Sequence, residues 1–78
     1  MTDMRKLVGL NLARIRHQKG MTQERLSELS GFTQQYLSNI EVGKTNPTIV
    51  SIYEIAQALG VNYLDLVRPV RKRQPSKS

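Results

Sequence analysis

The chain has no cysteine, no tryptophan, one phenylalanine and one histidine among its 78 residues. Without cysteine, disulfides, thiolate metal ligands and a cysteine nucleophile are all excluded. His17 has no second histidine or placed carboxylate to act with, so the sequence predicts no enzyme, no metal site and no cofactor. No apolar run approaches the ~20 residues that cross a bilayer. We therefore expect a cytoplasmic protein that binds neither a membrane nor a small-molecule ligand.

Acidic residues are absent from the last nine positions, residues 70–78, which hold four of the twelve basic side chains. The first 69 residues carry eight basic and six acidic side chains, so their net charge is only about +2 although the whole chain is +6. Basicity alone is therefore weak evidence for a polyanionic partner. The basic tail also lacks an apolar face. We expect residues 1–69 to form one domain and residues 70–78 to be disordered.

Four of the five glycines mark the ends of predicted helices. Gly20, Gly31 and Gly60 are each followed by an apolar residue and then by threonine or asparagine, which are favourable N-caps. After Gly43, Thr48 provides the cap of the next helix. These helix ends and N-caps divide the chain into five helices joined by short turns, and no strand pattern is present. The predicted fold is an all-α, compact five-helix bundle.

The predicted helices cover residues 4–19, 23–30, 33–43, 49–59 and 63–67. Helical spacing predicts a core of Val8, Leu12, Ile15, Leu26, Leu29, Leu37, Ile40, Ile52, Ile55, Ala56 and Leu59. Gly9, inside the first helix, costs about 1 kcal/mol relative to alanine, which close packing or end fraying could explain. Only residues 31–33 join the second and third helices. That spacing predicts a helix-turn-helix over about residues 23–42.

The outer face of the third helix carries no charge. Its side chains are Gln34, Gln35, Ser38 and Asn39. Amides and hydroxyls both donate and accept hydrogen bonds, whereas a solvated helix face normally carries lysine and glutamate. Glutamine and asparagine can pair bidentately with adenine in the major groove. The pattern indicates recognition of DNA bases, with a neutral solvated surface as the alternative.

The middle of the chain resembles the Cro/C1-type helix-turn-helix family, the lambdoid phage repressor-like proteins also called XRE. The matching residues are Gly20, Met21, Thr22, Gln23, Glu24, Arg25, Leu26, Gly31, Thr33, Gln34, Gln35, Ile40, Glu41, Gly43, Lys44 and Pro47. The resemblance covers about residues 8–67. It implies a lambda repressor-like domain that binds double-stranded DNA, usually as a homodimer on a palindromic operator. The implied function is transcription regulation.

The resemblance also implies roles for single residues. The base-reading positions are matched by Gln34, Gln35 and Asn39, with Ser38 beside them. Contacts to the DNA backbone are implied for Gln23, Thr33, Tyr36, Lys44, Thr45 and Asn46, and Gln23 would also brace Gln34. Arg16 and Glu41 match a structural ion pair that joins the first helix to the end of the third.

Two residues depart from the family pattern. Ser27 stands where alanine is usual at the crossing of the two motif helices, and its hydroxyl can bond back to the preceding turn. Leu64 stands where the fifth helix usually carries a polar residue. Because Tyr63, Leu64 and Val67 offer more apolar surface than one short helix buries, we expect a dimer interface there, continued by the end of the fourth helix.

Repression by occlusion of a promoter is the mode of action that the resemblance favours. The sequence does not separate a phage-type repressor, a restriction–modification controller and an antitoxin-like autoregulator. A second function class is a protein-interaction module that keeps the fold but has lost the DNA surface. Acidic or bulky residues on the outer face of the third helix would favour that module, and the predicted base-reading positions carry none. A small hydrolase would need a nucleophile–base pair that the sequence lacks.

Overall fold

Five helices make up the computed structural model, which describes residues 3–69. They are α1 (Met4–Gln18), α2 (Gln23–Ser30), α3 (Gln34–Glu41), α4 (Ile49–Leu59) and α5 (Leu64–Val67). Residues 3–69 contain no strand, and the predicted all-α fold is confirmed. Four bounds differ from the prediction: α1 ends one residue earlier, α3 begins one residue later and ends two residues earlier, and α5 begins one residue later. The predicted basic tail, residues 70–78, lies outside the described residues.

Threonine hydroxyls begin three of the helices. Thr22, Thr33 and Thr48 each accept a hydrogen bond of 3.0 Å from the backbone N–H three residues further on. Such a cap contributes about 1 kcal/mol to stability. At α5 the predicted N-cap is Asn62, but the observed N-cap is the next residue, Tyr63. Asn62 still accepts a 2.8 Å bond from the N–H of Leu64, so it satisfies a free donor of the helix start.

Glycine ends the helices where the sequence predicts it. The four glycines concerned have φ between 67° and 84°. Gly31 shows why the residue is needed at the turn between α2 and α3. Its φ of 84° lies in the left-handed region, and its N–H bonds to the carbonyl of Ser27. Because a side chain at this φ is strained, glycine allows α2 and α3 to be joined by only three residues.

The core receives side chains from all five helices. It consists of Val8, Leu12, Ile15, Leu26, Leu37, Ile40, Ile52, Ile55, Ala56, Leu59 and Leu66. α1 packs against α3 and α5, and α2 packs against α3 and α4. In this arrangement α3 is held between α1 and α2 with its outer face free. No helix in the described part of the chain is long and apolar enough to cross a membrane.

The prediction that Leu29 is buried is wrong. Its side chain is 45% exposed, whereas Leu26, one turn earlier on α2, is fully buried. Leu29 lies beside Glu54 and Ala58 of α4, where the surface forms a shallow groove. Because α4 presents a charged and a small side chain at this point, no large apolar group covers the end of α2.

Close packing explains the glycine inside α1. A methyl group at Gly9 would overlap the carbonyl oxygen of Ile40 and would lie 2.7 Å from that of Glu41. Gly9 therefore lets the backbone of α1 approach the carboxyl end of α3. This contact fixes how far the end of α3 stands from the rest of the domain.

A buried asparagine joins α1 to α5. The side-chain amide of Asn11 is inaccessible to solvent and donates two 2.9 Å hydrogen bonds, to the carbonyls of Leu66 and Arg68. Both carbonyls lie at the end of α5, where the helix provides no further N–H group to bond to them. The amide of Asn11 therefore supplies the missing donors. The sequence interpretation missed this role. The available signal was the position of Asn11 on the inner face of α1, between Val8 and Ile15.

Candidate nucleic-acid interface

The outer face of α3 is polar and uncharged. Gln34 and Gln35, in the first turn, are exposed, and Ser38 and Asn39 are half-buried. The opposite side of the helix is buried in the core. The structure thus brings the four predicted base-reading side chains together on one surface of α3. The other side of this helix is packed into the core.

Two of these four side chains bond to each other. The Nε2 of Gln35 donates to the Oδ1 of Asn39 at 3.1 Å, across one turn of α3. The bond leaves the Oε1 acceptor of Gln35 and the Nδ2 donor of Asn39 available, together with the second N–H of Gln35. The pair therefore presents both donors and acceptors on the outer face of α3.

The turn between α2 and α3 is closed by side-chain hydrogen bonds. The hydroxyl of Ser27 donates to the carbonyl of Phe32 at 2.5 Å, and the hydroxyl of Ser30 accepts from the N–H of the same residue at 3.2 Å. Ser27 thus bonds forward into the turn, and the predicted bond to the preceding turn of its own helix is wrong. The carbonyl of Phe32 lies in a turn without a helical donor, which makes it the better acceptor. The serine at the helix crossing therefore ties α2 to the turn that precedes α3.

Behind α3, Arg16 and Glu41 form a buried ion pair. The Nε of Arg16 lies 2.7 Å from the Oε2 of Glu41, and its Nη2 lies 3.2 Å from the Oε1. The side chains are 10% and 9% exposed. Arg16 also donates to the carbonyl of Met21 at 2.8 Å. Because a carboxylate at a helix C-terminus is disfavoured by the helix dipole, the guanidinium compensates a charge that would otherwise destabilise the end of α3.

Gln23, the first residue of α2, joins this network. Its Nε2 donates to the Oε1 of Glu41 at 3.0 Å. Within residues 3–69, Gln23 forms no hydrogen bond to Gln34, in contrast to the prediction. The amide of Gln23 donates to the carboxylate of Glu41 instead, because a carboxylate is the stronger acceptor. α3 is held at one end by α1 and α2 together, while Gln34 at its other end is exposed and its side chain makes no hydrogen bond within residues 3–69.

Tyr36 lies at the edge between α3 and α4. Its ring centre is 5.1 Å from that of Phe32, and its hydroxyl donates to the Oγ of Ser51 at 3.2 Å. The residue is half-buried. Its proton is engaged within the protein, so a bond to a phosphate would have to replace the bond to Ser51. Thr33 differs, because its hydroxyl oxygen accepts the cap bond while its proton remains available as a donor.

The loop after α3 begins with a Schellman closure. The N–H of Lys44 bonds to the carbonyl of Asn39 at 2.8 Å, and that of Gly43 bonds to Ile40 at 3.0 Å. The backbone amide of Lys44 is therefore used inside the protein, and only its side chain projects outward. Within residues 3–69 that side chain forms no salt bridge. Asn46 is exposed and Thr45 is half-buried.

A second lysine lies against the same loop. The Cγ of Lys6 in α1 is 3.2 Å from the point that a Cβ on Gly43 would occupy. Its side chain is exposed and makes no salt bridge within the described residues. The first turn of α1 thus places Lys6 against the loop that carries Lys44. The sequence interpretation did not single out Lys6, because this proximity depends on the packing of α1 on α3.

An exposed apolar patch is formed by residues of α4 and of the start of α5. Its residues are exposed by 38–62% and are Ile49, Val50, Tyr53, Tyr63 and Leu64. The two tyrosine rings meet edge to face at 6.0 Å. Two features differ from the expected dimer surface. Val67 is half-buried and packs against the core, and α4 contributes its beginning rather than its end, because Ile55, Ala56 and Leu59 are buried.

Comparison with known proteins gives consistent matches. The sequence profile described as helix-turn-helix matches residues 12–66. The uncharacterized HTH-type transcriptional regulator y4dJ of Sinorhizobium fredii is 60% identical over 67 residues, covering 86% of this chain and 87% of that protein. The HTH-type transcriptional regulator SutR of Escherichia coli is 28% identical over 76 residues; the match covers 97% of this chain and 43% of SutR.

A solved structure agrees with the fold. The crystal structure of the restriction–modification controller protein C.AhdI from Aeromonas hydrophila superposes with a TM-score of 0.77 at 34% identity, covering 80% of this chain and 94% of that one. The family profile spans α2, the turn and α3, whose geometry is that of the motif. Proteins of this family are DNA-binding regulators and not enzymes. This chain belongs to the Cro/C1-type helix-turn-helix family of transcriptional regulators.

Proposed function

We propose that this regulator is a dimeric repressor that reads a palindromic operator in the major groove and acts by occluding a promoter. The single observation that carries the proposal is the exposed, uncharged amide face of α3 on a helix that is otherwise locked into the domain. A helix held this firmly can present hydrogen-bonding groups to base edges without rearrangement.

Base recognition would rest on Gln34, Gln35 and Asn39, with Ser38 in a secondary role. The N-terminal residues of a recognition helix contact base edges, and both glutamines lie in the first turn of α3. A carboxamide pairs bidentately with the N6 and N7 of adenine. The bond between Gln35 and Asn39 restricts both side chains, so less conformational entropy is lost when they meet a base.

Contacts to phosphates would frame this face on two sides. The residues that we assign to them are Gln23, Thr33, Tyr36, Lys44, Thr45 and Asn46. Among residues 3–69, Lys44 forms no salt bridge, and the hydroxyl of Thr33 accepts a bond without donating one. Tyr36 would exchange its bond to Ser51 for a phosphate, and Gln23 would use the second N–H of an amide already anchored on Glu41. Such contacts position the protein, but they carry no sequence information.

A second copy of the chain would cover the apolar patch on α4 and α5. We retain Tyr63 and Leu64 as interface residues, give Val67 only a marginal share, and add Ile49, Val50 and Tyr53. The patch is supported by its exposure and by the lack of charge on the four described residues that line its groove, Ile49, Val50, Tyr53 and Tyr63, which is typical of the centre of an interface. Two-fold symmetry would place the recognition helices about 34 Å apart, one turn of B-DNA.

Selection of bound sequences from random duplex DNA tests the proposal. We expect a palindromic motif whose half-sites are about 10 base pairs apart. Sedimentation of the whole chain with the selected duplex should give two chains per duplex. If no motif is enriched, the DNA-reading proposal is wrong and a protein-interaction or antitoxin-like module becomes the better account. A motif without symmetry that binds one chain contradicts only the dimer.

A further inference from the structure

Val42 is an exposed apolar residue at the end of the recognition helix. It is the C-cap of α3, and its side chain is 64% exposed. Its N–H bonds to the carbonyl of Ser38 at 3.1 Å, which continues the helical ladder by one residue. Its φ of −96° and ψ of 5° also remain near the helical region. The direction of its side chain is therefore set by α3.

This position places Val42 on the base-reading face. It follows Gln35 by seven residues, Ser38 by four and Asn39 by three, which is the spacing of one helical stripe. It lies one turn, about 5.4 Å, beyond Ser38 and Asn39 along the helix axis. Its neighbours on this stripe are polar, and Val42 is the apolar group among them.

Other uses of this side chain do not match its surroundings. Val42 is not part of the hydrophobic core, and it does not line the apolar patch on α4 and α5. A single exposed valine on a solvated surface needs no explanation. Here, however, the valine continues a surface whose other members face base edges in the proposed complex. The group in the major groove that suits its methyl groups is an apolar one.

We propose that Val42 contacts the 5-methyl group of a thymine, next to the base pair read by Asn39. The proposal rests on the proposed function of α3. Thymine is the one base that presents a methyl group in the major groove, and apolar side chains are its usual partners. Val42 is therefore a specificity-determining residue that adds a thymine to the operator half-site. The sequence interpretation did not assign it, because an amide face draws attention to hydrogen bonds alone.

Replacing thymine by deoxyuridine tests the contact, since it removes only the methyl group. With the selected operator, each thymine is replaced symmetrically and binding is measured for the wild type and for Val42→Ala. We expect one position where deoxyuridine weakens wild-type binding about fourfold per half-site, the factor for one buried methyl-sized group. Val42→Ala should bind the unmodified operator more weakly by a similar factor, and it should show no further loss with deoxyuridine at that position.

Two controls accompany this cycle. Val42→Thr keeps one γ-methyl and should retain part of the discrimination. Leu10→Ala removes an apolar side chain that is 66% exposed on α1, and it should leave every thymine effect unchanged. Thermal melting of each variant without DNA should match the wild type, because Val42 is exposed.

The outcomes separate this inference from the proposed function. If the motif is obtained but no thymine effect depends on Val42, the inference is overturned while α3 remains the reading helix. If Val42→Ala weakens binding to the operator and to its fully deoxyuridine-substituted form equally, Val42 does not contact a thymine methyl group and the assignment is wrong. If selection yields no motif, the proposed function fails and this inference fails with it.

Discussion

Removing Arg16 should be the most destabilising change in the framework that supports α3. In Arg16→Met the apolar part of the side chain is kept, but Glu41 loses its cation. The carboxylate is 9% exposed and stands at the C-terminus of a helix, where the dipole opposes a negative charge. Gln23 would still donate one hydrogen bond to it, which does not replace a bidentate guanidinium.

The magnitude follows from burial. Breaking a buried ion pair by removing one partner costs about 3–5 kcal/mol. A domain of this size has a total stability of about 4–12 kcal/mol, at roughly 0.05–0.15 kcal/mol per residue. At about 4–8 °C per kcal/mol, the melting temperature should fall by more than about 12 °C. Chemical denaturation of Arg16→Met, Glu41→Leu and the double variant measures the loss. The double variant should lose less than the sum, with a coupling of about 2–3 kcal/mol.

The chain contains a matched control for burial. Arg25 and Glu28 form an ion pair at 3.0 Å, close to the bond lengths of the buried pair, but both side chains are 59% exposed. Arg25→Met should cost about 0.5 kcal/mol or less. If Arg16→Met costs no more than Arg25→Met, the buried pair does not hold α3 and the reasoning from burial is wrong.

Three further changes test other contacts. Leu64→Glu should weaken dimerisation and operator binding together, as measured by sedimentation and titration, whereas a change in neither would remove Leu64 from the interface. Gly9→Ala should lower stability by more than about 1 kcal/mol in denaturant, although alanine favours a helix, because its methyl group would overlap carbonyls at the end of α3. Ser27→Ala should cost about 0.5–1.5 kcal/mol by leaving the carbonyl of Phe32 without its hydroxyl donor, and an unchanged unfolding midpoint would show that the bond contributes nothing.

Local signals predicted the helices well because helix ends depend on neighbours in sequence. Thr22, Thr33 and Thr48 cap helices through bonds to residues three positions away, and such spacing is readable without a structure. The prediction of burial was correct where neighbouring helices cover one side of a helix along its length. It failed at Leu29, because its exposure depends on what α4 presents opposite it, and that is a property of packing.

The sequence predicted which side chains form the candidate site, but it did not predict which hydrogen bonds hold them in place. The amide face of α3 follows from helical periodicity, whereas the bond from Gln23 to Glu41 depends on how α2 crosses the end of α3. The place of Val42 on this face also follows from periodicity, because the predicted third helix includes it. Its 64% exposure and its N–H bond to Ser38 are what the structure adds.

Binding of Gln34→Ala and Gln35→Ala to the selected operator and to random DNA tests the central claim most directly, with Lys44→Ala as the contrasting variant. Each glutamine variant should lose about 1–3 kcal/mol of operator binding and relax the preference at one position per half-site, while random DNA is bound as before because no charge is removed. Lys44→Ala should weaken both DNAs and lower the salt slope by about one per subunit. If both glutamine variants weaken operator and random DNA equally, the outer face of α3 does not read bases.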